Sequence, residues 1–525
     1  MHTILPVVVP LVFLALIAVL AVLIGKRLPT SFIPDEDQGY VFVAMQLPDA
    51  ASLQRTSGAA RKVENILTHT AGVQGVTSVI GFSLLSRVQA TYNAFFFVTL
   101  KPWNQRTQPD EQYTAIRTNV GRALSQVQDG IVFSFTPPAI PGVGTSGGVT
   151  FILEDRSGSG PEFLTENVNK FIAAARKRPE LVGVSTTQLP NVPQLLVNVD
   201  RAKVMSQGVN IADVYQTMQT FMGGLLVNYF NRFGRQWQVY VEAEGESRTD
   251  PSNVGQFYVQ NGRNEMVPLS AVTNIKSITG PEFTMRYNEY SAAQINCAAA
   301  PGYSSGQATA ALEQVFAQTM PGQMGFDYSG MSFQEQQAAR GISPNMIFGL
   351  SLLFVFLILA ALYESWSLPF SILLGVPIAV FGAYLTLWLR RFDNDVYAQI
   401  GLIMLIGLSA KNAVLIVEYA KAEYDAGKSI REAALTGARI RLRPILMTAF
   451  AFILGCVPLW LASGSGGVSR QVLGTVVIGG MLAATVIAIF LIPVTFDVIE
   501  TLAARFTRSH RAPGPGQPEI EGGEA

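Results

Sequence analysis

Long runs of apolar residues divide the chain into membrane-spanning and soluble parts. The first run covers residues 4–24, and no run of similar length occurs again before residue 346. Five further runs then follow closely, at residues 346–363, 369–389, 396–419, 444–462 and 472–494. Each is close to the roughly 20 residues that a helix needs to cross a bilayer. The pattern predicts a first transmembrane helix at 4–25, five more within 340–498, and a tail at 499–525.

The stretch between the first two apolar runs has the shorter periodicities of a soluble domain. Residues 40–47 alternate apolar and polar side chains like a strand, and residues 51–68 have helical spacing. An order of strand, helix, strand, strand, helix and strand is complete by residue 135, and this is the ferredoxin-like split unit. A second, looser copy begins at residues 149–153. The predicted fold class is therefore a membrane α-helical bundle of six helices with a large α+β insert of ferredoxin-like βαβ subdomains.

The basic residues predict which side of the membrane carries the insert. Lys421 and Lys428 lie between the fourth and fifth apolar runs, and Arg505 lies in the tail. Under the positive-inside rule both segments are cytoplasmic, and helix parity then puts the insert outside. Lys26 and Arg27 oppose this assignment, but the rule is weak beside a long translocated domain.

Composition and motifs argue against nucleic-acid binding and enzymatic chemistry. Only 14% of the residues are charged and the net charge is zero, so no basic surface for nucleic acid is indicated. Gly142, Gly144 and Gly147 match G-x-G-x-x-G, but a strand-like run follows them instead of the helix that would bind a pyrophosphate. The sequence has no P-loop and no Cys/His cluster for a metal. Cys297 and Cys456 indicate two separate buried thiols.

Lys411 lies deep inside the predicted helix 396–419. The nearer helix end is roughly 12 Å away at about 1.5 Å per residue. A charge at the bilayer centre costs about 2.5–3.5 kcal/mol on insertion scales. No Asp or Glu lies near mid-membrane in the six apolar runs. Two explanations stay open: either Ser409, Asn412 and Glu418 satisfy the lysine locally, or its counter-ions come from another polypeptide.

Phenylalanines recur on single strand faces of the insert. Phe95 and Phe97 share one face of a strand, Phe133 and Phe135 share one face of another, and Phe82 lies in a predicted loop. An ordinary hydrophobic core explains this pattern. An apolar binding cleft explains it too, because ligand sites are lined by aromatic side chains with few polar groups.

Four motifs in order along the chain resemble those of one transporter family. They are SFIPDEDQG at 31–39, ALYESW at 361–366, GLSAKNA at 407–413 and RLRPILMT at 441–448. Together they resemble the C-terminal half of the hydrophobe/amphiphile efflux branch of resistance–nodulation–division (RND) transporters. The resemblance implies a multidrug efflux protein, a proton-antiporter component rather than an enzyme, in the bacterial inner membrane with the insert in the periplasm.

The resemblance also assigns roles to single residues. Lys411 is implied to be the positive member of a proton relay, with Arg441 and Thr448 beside it and two aspartates of the N-terminal half opposite it. Phe82 is similar to the phenylalanine of the family's switch loop. The second phenylalanine of that loop is replaced by Leu84 here, which leaves the substrate range open.

Further substrate-binding positions and the domain boundaries follow from the same resemblance. Phe97 is implied to line the deep pocket, and Phe133 and Phe135 the proximal cleft. The implied periplasmic subdomains are a first porter subdomain at 31–140, a second at 141–190 with 283–334, and a docking (funnel) subdomain at 191–282.

The partners implied by the resemblance are an N-terminal half that carries the aspartate pair, further copies in a trimer, a periplasmic adaptor protein, an outer-membrane channel, hydrophobic small molecules and membrane lipid. The proton motive force is the implied energy source, and no cofactor is expected. Family members contain both halves, so this chain is expected to be a split subunit, a truncated product or an isolated half. The alternatives are an accessory half that modulates a complete pump without transporting, and a lipid- or metal-exporting relative.

Overall fold

The structure, a computed structural model, describes residues 5–509, with side chains described for residues 9–503. The chain divides into two compact units. The smaller unit consists of Gln188–Met285 with Pro48–Ala50, and the larger contains Ala51–Thr187 with the segments before Pro48 and after Met285. The end of the predicted tail from residue 510, and the side chain of Arg505, lie outside the described part.

Sixteen α-helices are described within residues 5–509. They are α1 (Leu5–Arg27), α2 (Leu53–Thr68), α3 (Tyr113–Leu124), α4 (Pro161–Ala175), α5 (Arg201–Ser206), α6 (Ile211–Met218), α7 (Leu269–Val272), α8 (Ser305–Thr319), α9 (Gly330–Arg340), α10 (Pro344–Tyr363), α11 (Leu368–Leu373), α12 (Val376–Arg390), α13 (Val396–Asp425), α14 (Ile430–Trp460), α15 (Gly467–Ala483) and α16 (Ile489–Ser509).

Fifteen strands lie in the same described range. They are β1 (Tyr40–Gln46), β2 (Val73–Ser83), β3 (Val88–Leu100), β4 (Ile131–Phe135), β5 (Val149–Asp155), β6 (Leu181–Thr186), β7 (Val192–Val199), β8 (Leu225–Arg232), β9 (Arg235–Val241), β10 (Tyr258–Gln260), β11 (Met266–Pro268), β12 (Thr273–Gly280), β13 (Met285–Tyr287), β14 (Tyr290–Ala299) and β15 (Met324–Tyr328).

Six helical spans of the described chain are long and apolar enough to cross a membrane, which confirms the predicted number. Two of the spans are interrupted. The third consists of α11 and α12, and the sixth consists of α15 and α16 joined by a wide helical turn at Ala484–Ala488.

Two spans extend as helix beyond the apolar runs that predict them. The fifth span, α14, begins at Ile430 rather than at residue 444, because Ser429 caps it and accepts a hydrogen bond from the backbone N–H of Glu432 at 3.3 Å. Ala, Leu and Arg then continue the helix without an apolar run, since all three are good helix formers. The sixth span likewise continues as helix to Ser509, past the predicted start of the tail at residue 499.

The first sheet of the larger unit has the strand order β2-β3-β1-β4, and its described strand pairs are antiparallel. The helices α2 and α3 pack on it. Side chains alternate between the two faces of a strand. Val41 and Val43 are therefore buried on one face, and Phe42 points to the opposite face.

The second sheet repeats this order. Its strands lie side by side in the order β6-β14-β5-β15. The short strand β13 also pairs with β14, and the two form a hairpin. The helices α4 and α8 contribute Phe171 and Leu312 to a core that also contains Phe151. Residues 142–147 form the connection from β4 to β5 and open no helix. The helix whose N-terminus would bind a pyrophosphate therefore does not follow these glycines.

The smaller unit is built from paired strands and short helices. The strand β7 pairs with β12, β10 with β11, and β8 with β9, all antiparallel. Val204, Val214 and Leu269 are part of its buried core.

Candidate functional site

The predicted relay residue Lys411 lies on an exposed side of α13. The exposed residues of this helix recur at helical spacing and include Ile400, Met404, Gly407, Lys411 and Glu418. They form a stripe along one side of the helix, while the residues between them face α12, α14 and α15. Lys411 therefore points away from the bundle that residues 5–509 form.

Lys411 makes no ion pair or hydrogen bond with any side chain of residues 9–503. Ser409 donates its hydroxyl hydrogen to the carbonyl of Ile406 at 3.3 Å. Asn412 is buried, and its amide nitrogen has no hydrogen-bond partner in the described part of the chain. The local explanation, in which Ser409, Asn412 and Glu418 satisfy the lysine, is not the arrangement in this structure.

The second predicted relay residue, Arg441, is bound to the helix that carries Lys411. Its guanidinium carbon lies 3.8 Å from the centroid of the Tyr419 ring, a cation–π contact between α14 and α13. The Nε atom of Arg441 is buried and has no hydrogen-bond partner among the described residues.

The helices α13 and α14 approach each other closely near this contact. A Cβ atom on Gly437 would lie 2.8 Å from the backbone nitrogen of Ala420 and 3.0 Å from the carbonyl oxygen of Ile416. Only glycine permits this backbone approach. The third predicted relay residue, Thr448, is exposed on α14 and donates its hydroxyl hydrogen to the carbonyl of Ile445 at 3.1 Å.

Three of the four predicted substrate-binding phenylalanines, Phe97, Phe133 and Phe135, meet on the helix-free face of the first sheet. Five rings from three strands form an aromatic face there: Phe42, Phe95, Phe97, Phe133 and Phe135. The ring centroids of Phe42 lie 5.4 Å from Phe97 and 5.6 Å from Phe135, and those of Phe133 and Phe135 are 6.0 Å apart. Phe97 is 40% exposed, whereas Phe95 is 1% exposed. The aromatic face therefore has a buried base and an accessible outer part.

Phe42 is the residue of this face that the sequence argument missed. It stands in register with both Phe97 and Phe135, so it joins the two predicted pairs. The alternation of Tyr40, Phe42 and Ala44 along β1 was a usable signal, because residues two apart share a strand face.

Phe82 lies apart from the aromatic face, and its predicted loop was wrong. It belongs to β2 and stands opposite Gln89 of β3 near the end of the hairpin. A β-bulge precedes it, where Gly81 has a φ of +85° that glycine adopts without strain. Leu84 lies in the turn after β2.

Comparison with known proteins gives the family of this chain. The AcrB/AcrD/AcrF sequence family matches residues 3–500. The chain belongs to the AcrB/AcrD/AcrF family. This confirms the resemblance to RND efflux transporters, and with the six spans it makes the chain a multi-pass membrane protein of a transporter family.

Several curated relatives share this family. The chain is 40% identical over 490 residues to the probable efflux pump membrane transporter TtgB of Pseudomonas putida KT2440, which covers 93% of this chain and 46% of that protein. It is 41% identical over 502 residues to the multidrug resistance protein MdtF of Escherichia coli K12, and the match covers 95% of this chain and 48% of that protein. It is 41% identical over 493 residues to the multidrug export protein AcrF of the same strain, and the match covers 93% of this chain and 47% of that protein. The chain spans about half the length of the curated relatives it matches.

Proposed function

We propose that this AcrB/AcrD/AcrF family member forms one half of a proton-driven pump that exports hydrophobic and amphiphilic compounds across the cell envelope. The observation that carries the proposal is Lys411, which is exposed in the middle of a membrane-spanning helix without a partner among residues 9–503. A membrane charge of this kind needs a counter-ion. The N-terminal half of a pump, on the same polypeptide or on another, supplies it as a pair of carboxylates.

Proton transfer at this pair moves the helices. While the carboxylates are ionised, they attract the ammonium group of Lys411 and hold the two halves together at that depth. When protons bind the carboxylates, their negative charge is removed and the attraction to Lys411 falls. The α13 helix is then free to shift relative to the other half. Release of the protons on the opposite side of the membrane restores the pairing and completes the cycle.

Arg441 and Thr448 support this step from α14. Arg441 is fixed against α13 by Tyr419, so a shift of α13 carries the Arg441 contact with it. Thr448 presents its hydroxyl oxygen on an exposed side of α14, where it can accept a hydrogen bond from a protonated carboxyl group.

The aromatic face is the proposed substrate contact in the soluble part. An amphiphile needs an apolar surface with few charges, and accessible rings above a buried aromatic base supply one. Phe97, Phe133 and Phe135 are the proposed contacting residues, with Phe42 and Phe95 holding them in place. Phe82 contributes from the end of the β2–β3 hairpin.

The soluble units follow from the same proposal. We infer that the two sheets are ferredoxin-like porter subdomains in the periplasm and that the unit of Gln188–Met285 is the docking part. The strand order 2-3-1-4, repeated in both sheets, supports the first inference. A trimer, a periplasmic adaptor protein and an outer-membrane channel are the proposed partners, and the inner membrane is the proposed location.

The test is drug export by this chain with and without an N-terminal half. Proteoliposomes would contain the chain alone, the N-terminal half of a family member alone, or both, under an imposed proton gradient. Export of a fluorescent amphiphilic cation is expected only with both halves, and it should stop when a protonophore collapses the gradient. Export by the chain alone, or export that is insensitive to the protonophore, would contradict the proposal. If both halves assemble without exporting but alter a complete pump, the accessory role holds instead.

A further inference from the structure

The segment that joins α1 to the first sheet, residues 29–39, is named the tether here. It contains three consecutive carboxylates, Asp35, Glu36 and Asp37, and each has a different partner. The tether contacts two membrane-spanning helices at one end and the first sheet at the other.

At its start, the tether is hydrogen-bonded to the beginning of α13. The backbone N–H of Asn394 donates to the carbonyl of Pro29 at 2.8 Å, and the N–H of Val396 donates to the carbonyl of Phe32 at 3.2 Å. Val396 is the first residue of α13, the helix that carries Lys411. An axial shift of α13 therefore acts directly on the tether backbone.

Glu36 binds the tether to a second helix. Its carboxylate accepts hydrogen bonds from the backbone N–H of Ser469 at 2.7 Å, from the N–H of Val468 at 3.2 Å and from the Ser469 hydroxyl. These donors belong to the first turn of α15, which begins at Gly467. A carboxylate at this position satisfies N–H groups that have no partner inside the helix and interacts favourably with the helix dipole.

The far end of the tether is fixed to the first sheet. Asp37 pairs with Arg106, with 2.6 Å between carboxylate oxygen and guanidinium nitrogen, and Arg106 is 3% exposed. The side-chain amide of Gln38 donates to the carbonyl of Pro138 at 2.9 Å. The N–H of Leu100, the last residue of β3, donates to the carbonyl of Gly39 at 2.9 Å.

The tether has one fixed backbone rotation and borders a cavity on one side. Pro34 has a fixed φ and removes one of its backbone rotations. A cavity of about 540 Å³ borders residues 31–36, and Ala300, Ser305 and Glu335 line its other walls. A tether beside such a space can be displaced without repacking a close-packed core.

We propose that Glu36 is a positioning residue for transport, through which the tether transmits movements of α13 and α15 to the first sheet and its aromatic face. The inference rests on the proposed function, because it assumes that α13 moves when protons bind opposite Lys411. Glu36 touches neither the relay nor the aromatic face in this structure. We therefore expect replacement of Glu36 to uncouple proton transport from substrate export without changing substrate binding.

The experiment compares Glu36→Ala, Glu36→Gln and Ser469→Ala with the unaltered chain in a pump that contains both halves. Proton entry and export of a fluorescent amphiphile are measured together in proteoliposomes. For Glu36→Ala the maximal export rate should fall by about tenfold or more, as expected from losing charge-assisted hydrogen bonds. The half-saturating substrate concentration should stay within about twofold. Proton entry should continue without matching export.

Glu36→Gln keeps an amide oxygen as acceptor, so its export rate should lie between those of Glu36→Ala and the unaltered chain. Ser469→Ala removes only the hydroxyl donor, so it should lose less than Glu36→Ala and keeps the inference testable if Glu36→Ala fails to fold. Asp35→Asn is the matched control, because Asp35 is 69% exposed and lies 3.5 Å from Arg117. It should export normally.

Two results would overturn the inference. One is full export by well-folded Glu36→Ala, and the other is a parallel fall in export and proton entry, which indicates a damaged relay rather than a broken connection. Failure of the proposed function looks different, since the unaltered pump would then show no export driven by a proton gradient.

Discussion

The guanidinium of Arg441 lies 3.8 Å from the centroid of the Tyr419 ring, so a residue of the predicted relay is fixed to the helix that carries Lys411. Neither Arg441 nor Lys411 forms an ion pair with another described residue. Replacing Tyr419 by Leu should destabilise the protein by about 1–2 kcal/mol, the value of a desolvated cation–π contact, whereas Tyr419→Phe should change little. Thermal unfolding in detergent measures both. The contact between Lys421 and Tyr424 is the control, since Lys421 also pairs with Asp425 at the surface. Equal losses of stability in Tyr419→Leu and Tyr424→Leu would show that the Arg441 contact stabilises the protein no more than the Lys421 contact does.

Glycine at position 437 is required by the approach of α13 and α14. A methyl group there would lie 2.8 Å from the backbone nitrogen of Ala420, which is too close for any contact. Gly437→Ala should therefore cost about 1–3 kcal/mol of stability, as overpacking does. Gly455 is the matched control on the same helix, because a Cβ atom there meets nothing within 4 Å. Gly455→Ala should be neutral or slightly stabilising, and a loss of stability equal to that of Gly437→Ala would refute this account of the interface.

The aromatic face allows substrate binding and stability to be separated. Phe95→Ala should destabilise the first sheet by about 3–5 kcal/mol, because a fully buried ring is removed. Phe97→Ala should leave unfolding nearly unchanged, since the ring is 40% exposed, but should weaken the binding of an apolar fluorescent substrate. Fluorescence polarisation and thermal unfolding on the same samples measure the two effects. Unaltered substrate binding by Phe97→Ala would show that the aromatic face does not contact the substrate.

Asp395 predicts a pH dependence of stability. Burial, with one carboxylate oxygen unpaired among the described residues, raises the pKa of Asp395 to about 6 from its usual 3.8. The folded protein therefore binds this proton more readily than the unfolded chain does. The stability gained from the protonated group is fully present below pH 3.8 and is lost as the pH rises through about 6.

The variant Asp395→Asn tests this dependence. Asparagine keeps an oxygen that can accept the hydrogen bond from the N–H of Ala398, now 2.7 Å long, but has no charge to desolvate. At pH 8 the variant should be more stable than the unaltered chain by about 2–3 kcal/mol, from roughly two pKa units at 1.36 kcal/mol each. The difference should vanish near pH 4. Melting curves in detergent that stay parallel between pH 4 and 8 would show that the carboxylate is not desolvated as described.

The sequence predicted the parts of the fold that depend on strong periodicity. The six spans and the first sheet follow from apolar runs and alternation, because burial on one face leaves a clear pattern. The early start of α14 was missed, since its first two turns hold Arg431 and Glu432 on an exposed side and resemble a loop in hydropathy. Phe82 was misplaced because a β-bulge at Gly81 interrupts the alternation that would have extended β2.

The candidate site, like the fold, was predicted only in part from the sequence. Lys411 was visible from its depth in an apolar run, but the direction of its side chain depends on how α13 packs, which one helix pattern cannot give. The contact of Arg441 with Tyr419 and the capping of α15 by Glu36 join residues far apart in the chain. No local pattern marks such pairs, so only the packed structure brings them together.

Proton-driven export by Lys411 variants, in a pump that contains both halves, measures whether Lys411 pairs with carboxylates of the other half. Lys411→Ala should abolish export and proton entry together, because the carboxylates opposite it then have no cation whose attraction changes when they are protonated. Lys411→Arg should retain part of both, and Lys421→Ala, a control on the same helix with an exposed lysine, should retain all. Export by Lys411→Ala at the rate of the unaltered chain, under the same proton gradient, would show that Lys411 is not part of the proton relay.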